Sequence, residues 1–212
     1  MQKTLLIAVL VYFFLALLVP TVRAWRRFGV FPVVLHRETG AVQLAVGALF
    51  GLSLAALQVW SVACALIAPA RLGIWQAPLW VGLLGWLLYL IGLLITLIAQ
   101  TQMGEPWRIG IDDRPTALVS EGLFLRCRNP IFTGMLISMF GMVLIAPAVW
   151  SAIGALLAML LISIQVRFEE LHLLRLHGAA YTAYAARVGR FVPGAGRLEI
   201  DTIRPTLREE RS

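Results

Sequence analysis

Residues 131–166 read IFTGMLISMFGMVLIAPAVWSAIGALLAMLLISIQV, 36 positions without one charge. As a single helix this stretch would extend about 54 Å at ~1.5 Å per residue, far beyond a hydrocarbon core of about 30 Å. Pro147 resolves the conflict, because a proline inside a helix removes a backbone hydrogen bond and clashes with the preceding turn. The stretch therefore predicts two short helices, 131–146 and 148–166, folded into a hairpin. Its tip carries no charge that would hold it in the cytoplasm.

The rest of the chain agrees with lipid as its solvent. Of 212 residues, 60% are hydrophobic and 14% charged, whereas soluble domains run near 45–50% and about 25%. Together with a mean hydropathy of +0.85, this excludes a disordered chain, collagen and a disulfide scaffold. The length suits one compact all-α bundle in the membrane. Seventeen arginines and one lysine against eleven acids give a net charge of +7. In a soluble protein that balance would point to nucleic acid. Here the arginines gather at the ends of apolar runs, where cytoplasmic loops belong, so no nucleic-acid partner is expected. The preference for Arg over Lys, with abundant Ala, Leu and Gly, points to a GC-rich bacterial genome and so to the bacterial inner membrane.

Three apolar runs precede the hairpin. The first, 4–22, is followed by Arg23, Arg26 and Arg27, a bias that favours a retained helix with its N-terminus outside over a cleaved signal peptide. The second, 41–68, is interrupted by Gln43, Ser53 and Gln58. The third, 79–101, carries Gly82, Gly85 and Gly92, small residues that let helices approach closely. No proline falls in the middle of any proposed span. Arginine-rich and arginine-poor connections alternate: four Arg in the first loop, Arg71 alone in the second, four in 102–129, none at the hairpin tip and eight after Val166. Five spans follow, with the C-terminus in the cytoplasm. Cys64 and Cys127 fall most of a bilayer apart, beyond disulfide reach. His36, His172 and His177 form no ligand cluster, so no metal is expected. P-loop, GxGxxG and GxSxG patterns are absent.

Chemistry is left to the polar cytoplasmic half. In 122–134 (GLFLRCRNPIFTG), Asn129 suits a helix N-cap and Pro130 the first helical turn. With Arg126 and Arg128 beside it, that junction makes either an anion-binding corner or a plain helix start among lipid headgroups. In 167–193, Glu169 and Glu170 follow directly on a membrane span. Glu170, Leu174, His177, Tyr181 and Tyr184 fall within about 40° of one line on a continuous helix, and Gly178 is placed to break it. An interfacial amphipathic helix would account for the same residues.

Taken in order, these segments resemble the isoprenylcysteine carboxyl methyltransferase family, much of whose pattern phospholipid methyltransferases share. The Gly122, Phe124, Arg128-Asn129-Pro130, Phe132 and Gly134 spacing is similar to the family's Gly-x-Tyr-x-x-x-Arg-His-Pro-x-Tyr-x-Gly signature. Glu169-Glu170, Leu173, His177-Gly178, Tyr181, Tyr184, Arg187-Val188, Arg190-Phe191 and Pro193 follow like its continuation, and Met103-Gly104 with Trp107 resembles the Gly-x-x-Trp before it. The resemblance implies a membrane-embedded enzyme that carries a methyl group from S-adenosylmethionine to a lipophilic or small acceptor: a prenyl-cysteine carboxylate, a lipid amine or a thiol. It implies donor contacts from Val119, Gly122, Phe124, Arg128, Asn129, Pro130, Glu170, His177, Tyr181 and Tyr184. Acceptor contacts fall to Trp107 and Phe132, and catalytic roles to Arg128 and Glu170. Glu169 or Glu170 would act as base for an acceptor that must lose a proton.

On this reading 1–102 holds the first three membrane helices, 103–193 the cofactor-binding core and 194–212 a polar cytoplasmic tail. Asn129 departs from the family's His; an amide hydrogen-bonds but does not titrate. Phe124 and Phe132 keep the ring and lose the hydroxyl of tyrosine. Two other readings remain: an NADPH-dependent sterol-reductase-like membrane enzyme, and a non-catalytic interaction protein on the same scaffold.

Overall fold

A computed structural model describes residues 2–28, 41–103 and 117–198. After a 3₁₀ turn at Gln2–Thr4, helix α1 (Leu5–Phe13) runs through a π turn (Phe14–Leu18) into α2 (Val19–Phe28). The sequence places the end of this span near residue 22, with Pro20 close to that end, but the helix continues through Pro20 to Phe28. The reason is local. Pro20 has no N–H for the carbonyl of Ala16 and crowds it, the ladder widens to a π turn there, and Gln100 Nε2 donates to Ala16 O instead at 2.7 Å. The remaining elements are α3 (Ala41–Leu66), a 3₁₀ turn (Pro69–Leu72), α4 (Leu79–Met103), a second 3₁₀ turn (Gly122–Leu125), α5 (Pro130–Ile145), α6 (Val149–His177) and α7 (Ala179–Ala185).

The expected hairpin at Pro147 is present, but its arms are unequal. Helix α5 has 16 residues, about 24 Å. Helix α6 does not stop at Val166 but continues for 29 residues, about 44 Å, so the membrane arm and the polar helix after it are one rod. Gly178, at φ +51°, ends it and sets off α7, a backbone that a side chain would strain. Among the described residues four stretches are long and apolar enough to cross a membrane, Leu5–Arg26, Leu44–Leu66, Leu79–Met103 and Val149–His177, with Pro130–Ile145 as a shorter apolar helix. The protein is an all-α, multi-pass membrane protein, and Leu83, Leu87, Leu94, Leu156 and Leu160 point outward as lipid-facing residues do.

The glycines of α4 act as the sequence suggests. A Cβ on Gly85 would lie 2.8 Å from the carbonyl of Gly141, and one on Gly92 would collide with the backbone of Gly134 and Ser138. Gly85 and Gly92 thus sit opposite Gly141 and Gly134, seven residues apart on each helix, and α4 and α5 run antiparallel with backbones touching. The first helix is tied to α4 once per turn: Tyr89 donates to Ala8 O at 2.8 Å, Tyr12 meets Thr96 Oγ1 at 2.9 Å, and Gln100 donates to Ala16 O. Each bond satisfies a polar group that lipid could not.

Candidate active site

The site is built where the chain after α7 folds back onto the start of α5. Arg128 N donates to Gly189 O (2.9 Å) and Asn129 N to Arg190 O (3.1 Å), which lays residues 188–190 beside the Arg-Asn-Pro segment. Arg190 N in turn donates to Ala195 O (2.8 Å), closing a tight turn. Thr133 Oγ1, one helical turn into α5, reaches Phe191 O at 2.9 Å.

Arg128 locks this junction. Its Nε and Nη2 donate to Glu170 Oε1 at 3.0 and 2.8 Å. Nη1 donates to the carbonyls of Ala185 (2.9 Å) and Val188, at the C-terminal end of α7, and Nη2 also reaches Gly196 O at 3.1 Å. A guanidinium has five N–H groups, and all five are taken. The anion-binding corner considered from the sequence is therefore closed on the Arg128 side. The second oxygen of Glu170 accepts from Arg190 Nε (3.0 Å) and Nη2 (2.7 Å). The Arg128 and Glu170 side chains are only 1% and 7% exposed, so this ion triad is desolvated and depends on its pairing. Asn129 does not cap α5 with its side chain. Its Nδ2 instead turns to Arg190 O (3.2 Å) and Glu170 Oε1 (3.4 Å). Pro130 sits in the first turn as expected.

Beside the triad opens a cavity of about 860 Å³. Its polar end is walled by Val119, Phe124, Arg128, Asn129, Pro130, Phe132, Tyr181 and Tyr184, together with Gln100 and Met103 of α4. From there it runs between α1, α3, α5 and α6 to Trp60 and Trp150, with Met135, Met139 and Met142 along the α5 wall. Tyr184 donates its hydroxyl to Phe124 O at 2.7 Å, and burial pushes its phenol up to about 12. Burial, then the neighbouring Glu170 charge, raises Tyr181 further, so both phenols stay neutral. Among the described residues, Tyr181 Oη and Gln100 Oε1 are buried with no hydrogen-bond partner.

Eight of the residues expected at the site thus share one cavity wall. Glu170 and His177 do not line it: Glu170 is the buried centre of the triad, and His177 lies one face further round α6. Gly122 does not line it either. It turns at φ +60°, and a Cβ there would strike the Gln102 side chain. Trp107, Gly104 and the tail beyond residue 198 lie outside the described residues. On α6 the cavity is faced instead by Gln165, Glu169, His172 and Leu173. The stripe 165, 169, 172 sits about 140° from the stripe 170, 174, 177. Extending the latter through Gly178 as one helix is what hid it. Among the described residues no group of His, Cys, Asp or Glu could hold a metal ion.

Residues 80–180 match the phospholipid methyltransferase family. Among solved structures, the chain is similar to the eukaryotic intramembrane Ras methyltransferase, isoprenylcysteine carboxyl methyltransferase, at 17% identity and a TM-score of 0.51. The likeness covers 76% of this chain and 56% of that one, so this chain spans little more than half its length. No sequence among the curated proteins matches. The family match and the shared fold bear out the resemblance carried by the motifs: residues 80–180 are similar to the phospholipid methyltransferase family, and the chain shares its fold with an intramembrane methyltransferase.

Proposed function

We propose that the protein takes a methyl group from S-adenosylmethionine and delivers it to a lipophilic acceptor at the membrane surface. The observation that carries this reading is the form of the cavity, one space with an aromatic, partly polar end and a long apolar remainder. Its volume lies in the range of small-molecule sites, about 300–1,000 Å³. The donor's chemistry fits the polar end. Tyr181 Oη and Gln100 Oε1 are buried polar atoms awaiting a partner. The rings of Phe124, Tyr181 and Tyr184 suit an adenine face and a sulfonium charge.

When bound, S-adenosylmethionine supplies an electrophilic methyl group on a sulfonium. Val119, Phe124, Asn129, Pro130, Tyr181 and Tyr184 hold it and keep water out, while Phe132 and Trp107 belong with the acceptor. Arg128 and Glu170 act as positioning residues: they pin α7, and with it both tyrosines, against the start of α5. In-line methyl transfer gains chiefly from alignment and desolvation, which a pinned aromatic wall provides. The arginine distribution turns this end of the bundle to the cytoplasm, with the N-terminus outside, in a bacterial inner membrane.

Calorimetry on detergent-solubilised protein tests the reading. S-adenosylmethionine binds, and Tyr181→Phe weakens it by about 1 kcal/mol, roughly fivefold, through one lost hydrogen bond. Binding of NADPH with none of S-adenosylmethionine at millimolar concentration refutes it and favours the reductase.

A further inference from the structure

The first helix carries a second cavity, of about 560 Å³, whose described lining is Phe14, Leu18, Val19, Val22, Arg23 and Arg26. It shares no described lining residue with the cavity of the candidate site. At 100° per residue, positions 14, 18, 22 and 26 would advance by 40° at each step and wind about 120° round the helix. The π turn at Phe14–Leu18 takes more residues per turn. It gives back part of that drift and keeps the four positions on one side. The groove they form changes from apolar to basic along its length. Phe14 and Leu18 are 54% and 50% exposed, and Val19 and Val22 are partly buried. Arg23 and Arg26, one turn apart, are exposed. The described lining holds no carboxylate, and among the described residues neither guanidinium has a hydrogen-bond or ion-pair partner.

The length of the groove matches one leaflet. Phe14 to Arg26 extends about 18 Å at ~1.5 Å per residue, against about 15 Å for half of a ~30 Å hydrocarbon core. The membrane-length stretch Leu5–Arg26 ends at the second arginine. Trp25, 56% exposed, stands at the same level, where tryptophans gather at a membrane surface. Both guanidinium groups therefore lie at headgroup depth, with the apolar wall at chain depth beneath them. A water-soluble anion would use only the arginines, and an uncharged lipid only the wall. A zwitterionic lipid would bring a quaternary ammonium towards two cations. We propose that the groove holds one anionic phospholipid, its phosphate at Arg23 and Arg26 and an acyl chain along Phe14, Leu18 and Val22. The guanidinium fork matches phosphate oxygens, and the arginine stems lie over the apolar wall while their heads stay at the water. Attraction to an anionic lipid is worth roughly fivefold in affinity per arginine near the surface. The site is separate from methyl transfer and stands or falls apart from it.

Native mass spectrometry of the full chain in a mild non-ionic detergent tests this, with dioleoylphosphatidylglycerol and dioleoylphosphatidylcholine, matched in their chains, as probes. The first phosphatidylglycerol binds at least about tenfold tighter than the first phosphatidylcholine. Arg23→Gln and Arg26→Gln each remove roughly fivefold of that preference, and the double variant brings the two lipids to within about threefold. Replacing both arginines by lysine keeps the larger part of it, and Arg71→Gln, at a basic residue outside the groove, leaves it unchanged. Glycerophosphoglycerol, the same headgroup without chains, does not displace the lipid at millimolar concentration. Equal binding of the two lipids by the wild type overturns the proposal. So does a preference that survives the double glutamine variant, because the lipid is then held elsewhere. Displacement by the bare headgroup overturns it too, since the groove would then be a plain anion site with no use for its apolar wall.

Discussion

The Arg128–Glu170–Arg190 triad can be dissected by a double-mutant cycle of Arg128→Met and Glu170→Gln. Removing one member of a buried pair leaves the other charge uncompensated, at about 3–5 kcal/mol. Arg128→Met belongs at the upper end. It strands Glu170 and also removes the bonds that tie the carbonyls of Ala185, Val188 and Gly196 to one side chain, although Ala185 O keeps the Leu198 N–H. Glu170→Gln belongs at the lower end, because those three bonds survive and an amide oxygen still accepts from Arg128. Arg190, 29% exposed, can turn to water. In the double variant no buried charge is stranded, so its cost falls below the sum of the singles by about 1–3 kcal/mol. Unfolding in mixed micelles of rising denaturing-detergent fraction measures all three, and calorimetry follows donor affinity in parallel. Each single variant loosens α7 and weakens donor binding at least about tenfold. Costs that add to within about 0.5 kcal/mol would show that the triad is not an energetic unit, and donor affinities left at the wild-type value would remove it from the site.

Three further outcomes follow from the geometry. Gly134→Ala pushes a methyl group into Thr96 and the carbonyl of Gly92 and lowers stability by about 1–3 kcal/mol, whereas Gly51→Ala, with nothing within 4 Å, leaves stability unchanged or improves it; equal effects in the same unfolding assay would contradict the packed seam. Cys127 is buried, and burial raises its thiol, so the reactive thiolate forms only as pH climbs past the ordinary value of about 8.5. The stability gained by keeping it neutral is likewise present below that value and lost through the raised one. Maleimide labelling of native protein near pH 8, read by mass spectrometry, leaves Cys127 unmodified, and labelling at the rate of a free peptide would show the pocket to be open. Reporter fusions after residue 198 report a cytoplasmic C-terminus; an external signal would turn the cavity's polar end to the other side of the membrane.

The hairpin, the spans and a closely packed α4 were legible because each rests on a local rule: Pro147 against the bilayer thickness, apolar run lengths, and small residues within one apolar run; that α5 is the partner shows only in the structure. The ordered motifs likewise marked two segments that pack together, and Phe124, Arg128, Asn129, Pro130, Phe132, Tyr181 and Tyr184 from them line one cavity. What escaped the sequence depends on rotation and on distant partners. Glu169 and Glu170 are adjacent in sequence, and only the roll of α6 about its own axis decides that Glu169 faces the cavity while Glu170 faces two arginines. Arg128 looked free to bind an anion because the carbonyls that exhaust it lie about sixty residues later, in a segment with no periodicity of its own. Pro20 was passed over because its effect is answered by Gln100, eighty residues away.

The glycine seam between α4 and α5 has a bearing on traffic. Two helices whose backbones touch can neither slide past one another nor part without losing contacts along their whole shared length, so that flank is the stiff wall of the bundle. The opposite flank of the cavity is formed by α6 and by the first and third helices, against a row of methionines on α5 whose unbranched chains rearrange at small cost. A lipid tail moving in or out, and the breathing that lets it pass, belongs to that compliant flank.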